Sequence, residues 1–394
     1  MLGAIYIGLS GLDAYSQGLE EISNNITNLN TAGFKTSIVS FSDMVGMPRR
    51  GGLDYSSGGW AGGEGVDANR PQIDFRQGTM QQTGRDLDMA VDGTGFLVLL
   101  DGDHVSYTRT GSFEVDPDGY IVLSGTDHRL AVLDSRNHPV AVSVNAFQTS
   151  PPQATTTVTL ADNLSSTATS YDLSDLTVYD ANGTAHQWKA HFEKATGADA
   201  DPNSWTVTVT DQAGTTLGSQ TLKFVGGAVD PAADKLTFAD TDAGLSVVFD
   251  FSNGVTSYSS GEVSTLRSAS VDGYGIGSIA SLTINTDGHL EIGYSNEQKK
   301  DLGTIAIADF RDPGALVQQG GGVFTYKGSL RDLMASGDAR VGKIVSGEIE
   351  GSNVDLSKEF GELILIQRGF QASSQVISVS NDMIQQLFGI RGQG

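Results

Sequence analysis

A mainly β protein with long α-helices at both ends is the fold class this sequence predicts, as nested β-domains on a helical coiled-coil stalk. Three patterns predict it. Apolar residues recur every seven positions at both extremes of the chain. Short apolar strands alternate with glycine turns in between, and the composition shifts at Ser150-Pro151-Pro152. At 394 residues the chain exceeds the size of one hydrophobic core, so two to four domains are expected.

The N-terminal helix is read from Ile5, Leu12, Leu19 and Ile26, with Tyr15, Ile22 and Leu29 forming a second row three positions on. The C-terminal row is longer: Leu356, Leu363, Phe370, Ile377 and Ile384. Sustained heptads with apolar partners between them predict a left-handed coiled-coil seam. These eleven apolar side chains (Tyr15 set aside) are the expected assembly interface. Both helices also hold poor helix formers. Ala4, Gly11 and Gly18 form a small-residue stripe, and Gly369, Ser373, Ser374, Ser378 and Ser380 dilute the second helix. Each interior glycine costs about 1 kcal/mol relative to alanine. Such residues fit helices that neighbours approach closely.

Asn30 and Gly33 are natural helix stops. The stretch from Gly46 to Gly65 contains Gly51, Gly52, Gly58, Gly59, Gly62 and Gly63, and reads as a flexible connector. From about Gln77 short strands begin, such as Phe96-Leu97-Val98-Leu99-Leu100 and Tyr120-Ile121-Val122-Leu123. Asp92-Gly93 and Asp116-Pro117-Asp118-Gly119 supply turns. Beyond the proline pair the chain is rich in Thr, Asp and Ala. Trp205, Val207 and Val209 alternate there with Thr206, Thr208 and Thr210, which predicts a separate β-sandwich or barrel. The expected division is 1–34 and 355–394 for the helical assembly domain and 35–76 for the connector. Residues 77–148 and 271–354 form a discontinuous β-domain, and 149–270 an inserted outer β-domain.

A net charge of −23 argues against nucleic acid as a partner, because a phosphate backbone would be repelled. Cysteine is absent, which excludes disulfides and thiolate chemistry. No apolar run is long enough to span a bilayer, so no membrane insertion is expected. The first basic residue is Lys35, after Asp13, Glu20 and Glu21. That does not fit a cleaved secretory signal.

Motifs that would carry chemistry fail on inspection, and neither catalysis nor a cofactor or metal is expected. Gly337 to Lys343 has phosphate-loop spacing, but Ile344 stands where Ser or Thr should hold magnesium, and no helix pattern follows. Glu114, Asp116, Asp118 and Gly119 imitate a calcium loop whose twelfth position is Gly125 rather than Glu. His186 and His191 are an odd number of residues apart in an expected strand, which puts them on opposite faces. Acid pairs such as Asp240 and Asp242 read as solvated loop carboxylates.

Three motifs resemble the flagellar axial family of rod, hook and hook-associated proteins. Ile22-Ser23-Asn24-Asn25-Ile26-Thr27-Asn28-Leu29-Asn30-Thr31-Ala32-Gly33-Phe34-Lys35 is similar to its N-terminal signature. Leu87-Asp88-Met89-Ala90-Val91-Asp92-Gly93-Thr94-Gly95-Phe96 and Tyr107-Thr108-Arg109-Thr110-Gly111-Ser112-Phe113 follow. The third runs from Gly347 through Glu350, Ser352, Asn353, Val354 and Asp355 into Gln367-Arg368-Gly369-Phe370. The resemblance makes Asn24, Asn25, Asn28, Gly33, Phe34, Ser352, Asn353, Val354 and Asp355 signature positions. The insert, entered at Thr156–Leu164 and left at Asp272-Gly273-Tyr274, resembles that of hook subunits. The resemblance implies a self-polymerising joint between rod and filament. It implies as partners rod and hook–filament junction proteins, the hook cap and the flagellar export apparatus, and an extracellular place in the flagellum. Met47-Pro48-Arg49-Arg50-Gly51-Gly52 resembles what distinguishes the distal rod, which keeps a rod-type subunit as the alternative. A cell-surface carbohydrate-binding or carbohydrate-active protein is the more distant one.

Overall fold

The structure is a computed structural model that describes residues 2–45, 63–102, 104–196, 201–328 and 332–391. The chain forms two compact units. The first comprises Met1–Ala146, Leu282–Glu291 and Asp301–Gly394, and the second Phe147–Ser281 and Ile292–Lys300.

The first unit carries both helices, α1 (Leu2–Thr27) and α2 (Leu356–Arg391). Neither contains proline, and α2 starts where Asp355 caps it. One carboxylate oxygen of Asp355 accepts the N–H groups of Ser357 at 2.9 Å and Lys358 at 3.2 Å. Past α1 the chain turns at Gly33, whose φ of 70° is costly for other residues. A β-carbon there would also come within 2.9 Å of Thr110.

The segment read as a connector is partly regular structure. Phe41–Val45 pairs antiparallel with Gly63–Ala68. This hairpin lies along α1: Val66 N–H donates to Ser10 Oγ at 3.2 Å, and the rings of Phe41 and Tyr15 sit 5.5 Å apart. Phe41 also reaches Gly18 of α1, where a β-carbon would come within 3.2 Å of its ring. Met47-Pro48-Arg49-Arg50-Gly51-Gly52 lies outside the described residues.

Within the first unit, strand Phe96–Asp101 is central. It pairs with His104–Thr108, Arg129–Leu133 and Ile307–Asp309, all antiparallel. Its unbroken apolar run is explained by cores on both faces. Leu97 and Leu99 join Met89, Phe113, Leu130 and Ile305, while Phe96 and Val98 meet Phe310, Phe324 and Tyr107. Asp116-Pro117-Asp118-Gly119 is the turn between strands Phe113–Val115 and Ile121–Leu123, with Tyr120 N–H donating to Asp116 Oδ1 at 2.7 Å. Lys343, the lysine of the phosphate-loop lookalike, opens strand Lys343–Ser346 rather than a helix.

The second unit holds two sheets. One runs Ser170–Tyr179, Ala185–Lys194, Ser204–Thr210, Thr216–Val225 and Ala228–Val229 in spatial order. The other runs Lys235–Asp240, Leu245–Asp250, Thr157–Ala161 and Arg267–Val271. Inward residues of both, including Trp188, Trp205, Val207, Val209, Phe238 and Phe249, form one core, while Thr206, Thr208 and Thr210 are only partly buried. His186 and His191 take opposite faces of their strand. His191 Nδ1 lies 2.6 Å from Asp172, and His186 Nε2 lies 3.4 Å from Asp180.

Candidate assembly interface

α1 and α2 pack antiparallel, and glycine decides where. Gly8 meets Ile377, Gly11 meets Ser373, Gly369 meets the ring of Tyr15, and Gly18 meets Ile366. Gly8, Gly11, Ala14, Gly18, Ile22 and Asn25 are the buried face of α1, and Glu359, Ile366 and Ser380 are buried on α2. The contact within the chain is therefore centred on small residues, with the heptad rows flanking it. Of those rows Ile22 is buried, and Ile5, Leu12, Leu19, Ile26, Leu29, Leu363, Ile377 and Ile384 are half-buried. Leu356 and Phe370 remain exposed. Small residues let the backbones approach, so the flanking side chains on each helix reach past one another.

At the foot of the pair lies a buried polar lock. Asn25 accepts Ser37 N–H at 3.0 Å, and donates to Ser37 O at 2.8 Å and Glu359 Oε2 at 3.1 Å. Burial pushes the Glu359 carboxyl above the usual carboxylate range, partly offset by the Asn25 hydrogen bond. Asn353 Oδ1 accepts both the N–H and the hydroxyl of Thr36 at 2.8 Å, and its amide donates to Asp74 O and Arg76 O.

Glu350, fully buried, joins the rest. Its two oxygens take Lys35 Nζ at 2.6 Å and Arg109 Nε at 3.1 Å, and Gly78 N–H adds a bond at 2.6 Å. Arg109 also donates to the carbonyls of Gly95, Val91 and Gly93 and lies over the Phe96 ring. Loss of hydration pulls the Lys35 ammonium below the usual lysine range, with Glu350 opposing. Two buried cations on one carboxylate tie four distant stretches of chain together: residues 35, 78, 109 and 350.

Other signature positions serve the same corner. Asn28 donates to Asn24 O at 2.9 Å and accepts from Thr31, which closes the end of α1. Gly33 N–H donates to Glu350 O at 2.8 Å, and Asn353 N–H to Phe34 O at 3.4 Å. Phe34 and Val354 are buried, and the Ser352 hydroxyl accepts Val354 N–H at 3.3 Å. Asn24 is exposed.

α2 also presents apolar side chains that no part of the described chain covers. Ile364, Leu365, Val376, Val379, Met383 and Leu387 are all exposed, and Tyr6, Ile7 and Leu9 are exposed on α1. Among the described residues no cluster of acids and histidines is arranged to hold a metal.

Comparison with known proteins follows this layout. Four family profiles match in chain order. They are the flagella basal body rod protein over residues 5–35 and the flagellar hook protein FlgE/F/G D1 domain over 90–163. The flagellar basal body protein FlaE D2 domain matches 147–287, and the flagellar basal body rod FlgEFG protein C-terminal region matches 345–390. The flagellar hook protein FlgE of Salmonella typhimurium is 30% identical over 424 residues, covering 97% of this chain and 98% of the relative. The chain belongs to the flagellar hook protein family. The hook protein of Borreliella burgdorferi is 27% identical over 99% of this chain and 100% of its own. The crystal structure of Helicobacter pylori flagellar hook protein FlgE2 gives a TM-score of 0.49 at 13% identity, covering 70% of this chain and 100% of that one.

As a hook protein the chain is a structural subunit of the flagellum that polymerises with itself, and it is not an enzyme. The charged members of its lock escaped sequence reasoning. Lys35, Arg109 and Glu350 stood inside the quoted motifs, and for Lys35 and Arg109 a lone charge amid Gly, Thr and apolar neighbours was the available signal. Glu359 gave no signal, since one acid among the polar residues of a helix looks solvated.

Proposed function

We propose that α1 and α2 form the wall of a hook tube by packing against the helices of neighbouring copies, with the second unit outermost. The observation that carries this reading is the exposed apolar row of α2, which water would otherwise cover at a cost. Heptad residues such as Leu356 and Phe370 join that row in the assembly. Apolar helix contacts hold copies together, while polar β-surfaces slide, so the tube bends as a joint between rod and filament. On this reading its partners are rod and hook–filament junction proteins and the hook cap. The export apparatus would deliver it, and its place is outside the cell.

Negative-stain microscopy of the purified chain under salting-out conditions tests the proposal. The unsubstituted chain is expected to form tubes, and a Leu365→Asp, Val379→Asp variant to stay monomeric with its β-structure intact. Tubes from that variant would remove α2 from the wall.

A further inference from the structure

The second unit has a surface that its own charge pattern sets apart. Residues 151–270 carry 14 acidic side chains against 5 basic ones. Yet residues 224–229 are uncharged, and residues 253–264 hold only Glu262. The fold brings these two loops together. Ala228 bridges to Thr256, Ser257 N–H donates to Gly227 O at 2.8 Å, and the Tyr258 ring lies over Gly227, where a β-carbon would collide with it.

Three apolar side chains project from this tip, with Val225 65%, Tyr258 58% and Val263 67% exposed. They are held firmly. Asn163 Oδ1 accepts Tyr258 N–H at 2.8 Å and the Thr256 hydroxyl at 3.1 Å. Its amide donates to Tyr258 O at 3.1 Å and Ser260 Oγ at 3.0 Å, and the Ser165 hydroxyl donates to Gly261 O. A loop already fixed in this way loses little freedom when something docks on it.

We propose that this tip is a contact surface for a second copy of the chain. The proposal rests on the self-polymerisation of the hook family. Copies carrying a charge of −23 repel wherever their acidic faces meet, so close approach of two such units is cheapest where charge is absent. Three side chains cover far less than the roughly 800 Å² per partner of a stable interface. The tip therefore cannot pair free subunits. It acts when the polymer already holds a neighbour nearby, because the contact is then effectively intramolecular. That favours a fixed copy over an unrelated protein arriving from solution.

The chain has no cysteine, which makes single-thiol footprinting clean. Tyr258→Cys and Val263→Cys report on the tip, and Ala213→Cys, in an exposed turn of the same unit, is the control. On polymerisation the maleimide rate at the tip thiols should fall by about tenfold, as at the buried core of an interface, while the control rate holds. Tubes whose tip thiols react at the monomer rate, or whose control is protected equally, overturn the tip and leave the polymer standing. If the unsubstituted chain forms no tubes and both tip thiols keep the monomer rate, the tip and the hook-wall reading fall together.

Discussion

Gly18 of α1 lies so close to Ile366 of α2 that a β-carbon at position 18 would come within 2.7 Å of Ile366 Cδ1. The same holds at Gly8, where a β-carbon would sit 2.7 Å from Ile377 and 3.2 Å from the Ser373 carbonyl oxygen. The helix propensity lost at these glycines is returned as backbone approach. Gly18→Val should therefore destabilise the helix pair by about 1–3 kcal/mol through overpacking. Gly361, which has nothing within 4 Å of its would-be β-carbon, should behave oppositely. Gly361→Ala should stabilise by about 0.5–1 kcal/mol. Urea unfolding followed by far-ultraviolet circular dichroism separates the two signs.

Glu350→Gln leaves Lys35 and Arg109 buried without a counter-charge. Removing one member of a buried ion pair costs about 3–5 kcal/mol. The expected result is a large fall in the urea midpoint of the first unit. An unchanged midpoint would mean that the lock is not what positions the helices.

The raised carboxyl of Glu359 gives a pH dependence whose sign follows from linkage. Between its unfolded value of 4.5 and its higher folded value, the folded chain binds more protons than the unfolded chain. The contribution from Glu359 is therefore fully present below pH 4.5 and is lost as pH rises through the folded value. Glu359→Gln keeps a partner for Asn25 and abolishes the titration. Relative to the unsubstituted chain the variant should gain stability at pH 7 and lose that gain by pH 4, read from paired denaturation curves. A gain equal at both pH values would assign the effect to packing.

Phe370→Asp with Ile377→Asp places two charges on the α2 heptad row. Polymerisation should be abolished while the second unit stays folded. Trp188 and Trp205, both in that unit's core, provide the fluorescence readout. Tubes from the double variant would show that this row takes no part in assembly.

A fragment of residues 149–275 should unfold cooperatively by itself, since the core shared by the two sheets of the second unit lies between Val158 and Val271. It should outlast a fragment ending at residue 270. Only the longer one keeps Asp272, whose Oδ1 accepts the N–H groups of Thr156 at 2.8 Å and Thr157 at 2.9 Å. Equal urea midpoints would show that Asp272 adds nothing to closure of the unit.

Local patterns fixed by side-chain period were legible in the sequence. Seven-residue recurrence marked α1 and α2, and two-residue alternation at Trp205, Val207 and Val209 marked an inward face. Turn chemistry placed Asp116–Gly119 between strands. These depend on neighbours a few residues away, so one dimension suffices. What the sequence left open was which helix face points inward within the chain. The apolar rows are the conspicuous feature, yet the buried line runs through Gly8, Gly11 and Gly18. Close approach is decided by the side chains that are missing, and their effect exists only opposite a partner. The lock has the same origin. Lys35, Arg109 and Glu350 are separated by 74 and 241 residues, and a charge becomes a buried charge only when distant segments exclude water from around it. Sequence periodicity set which elements form, and tertiary contact alone set which of their residues are desolvated together.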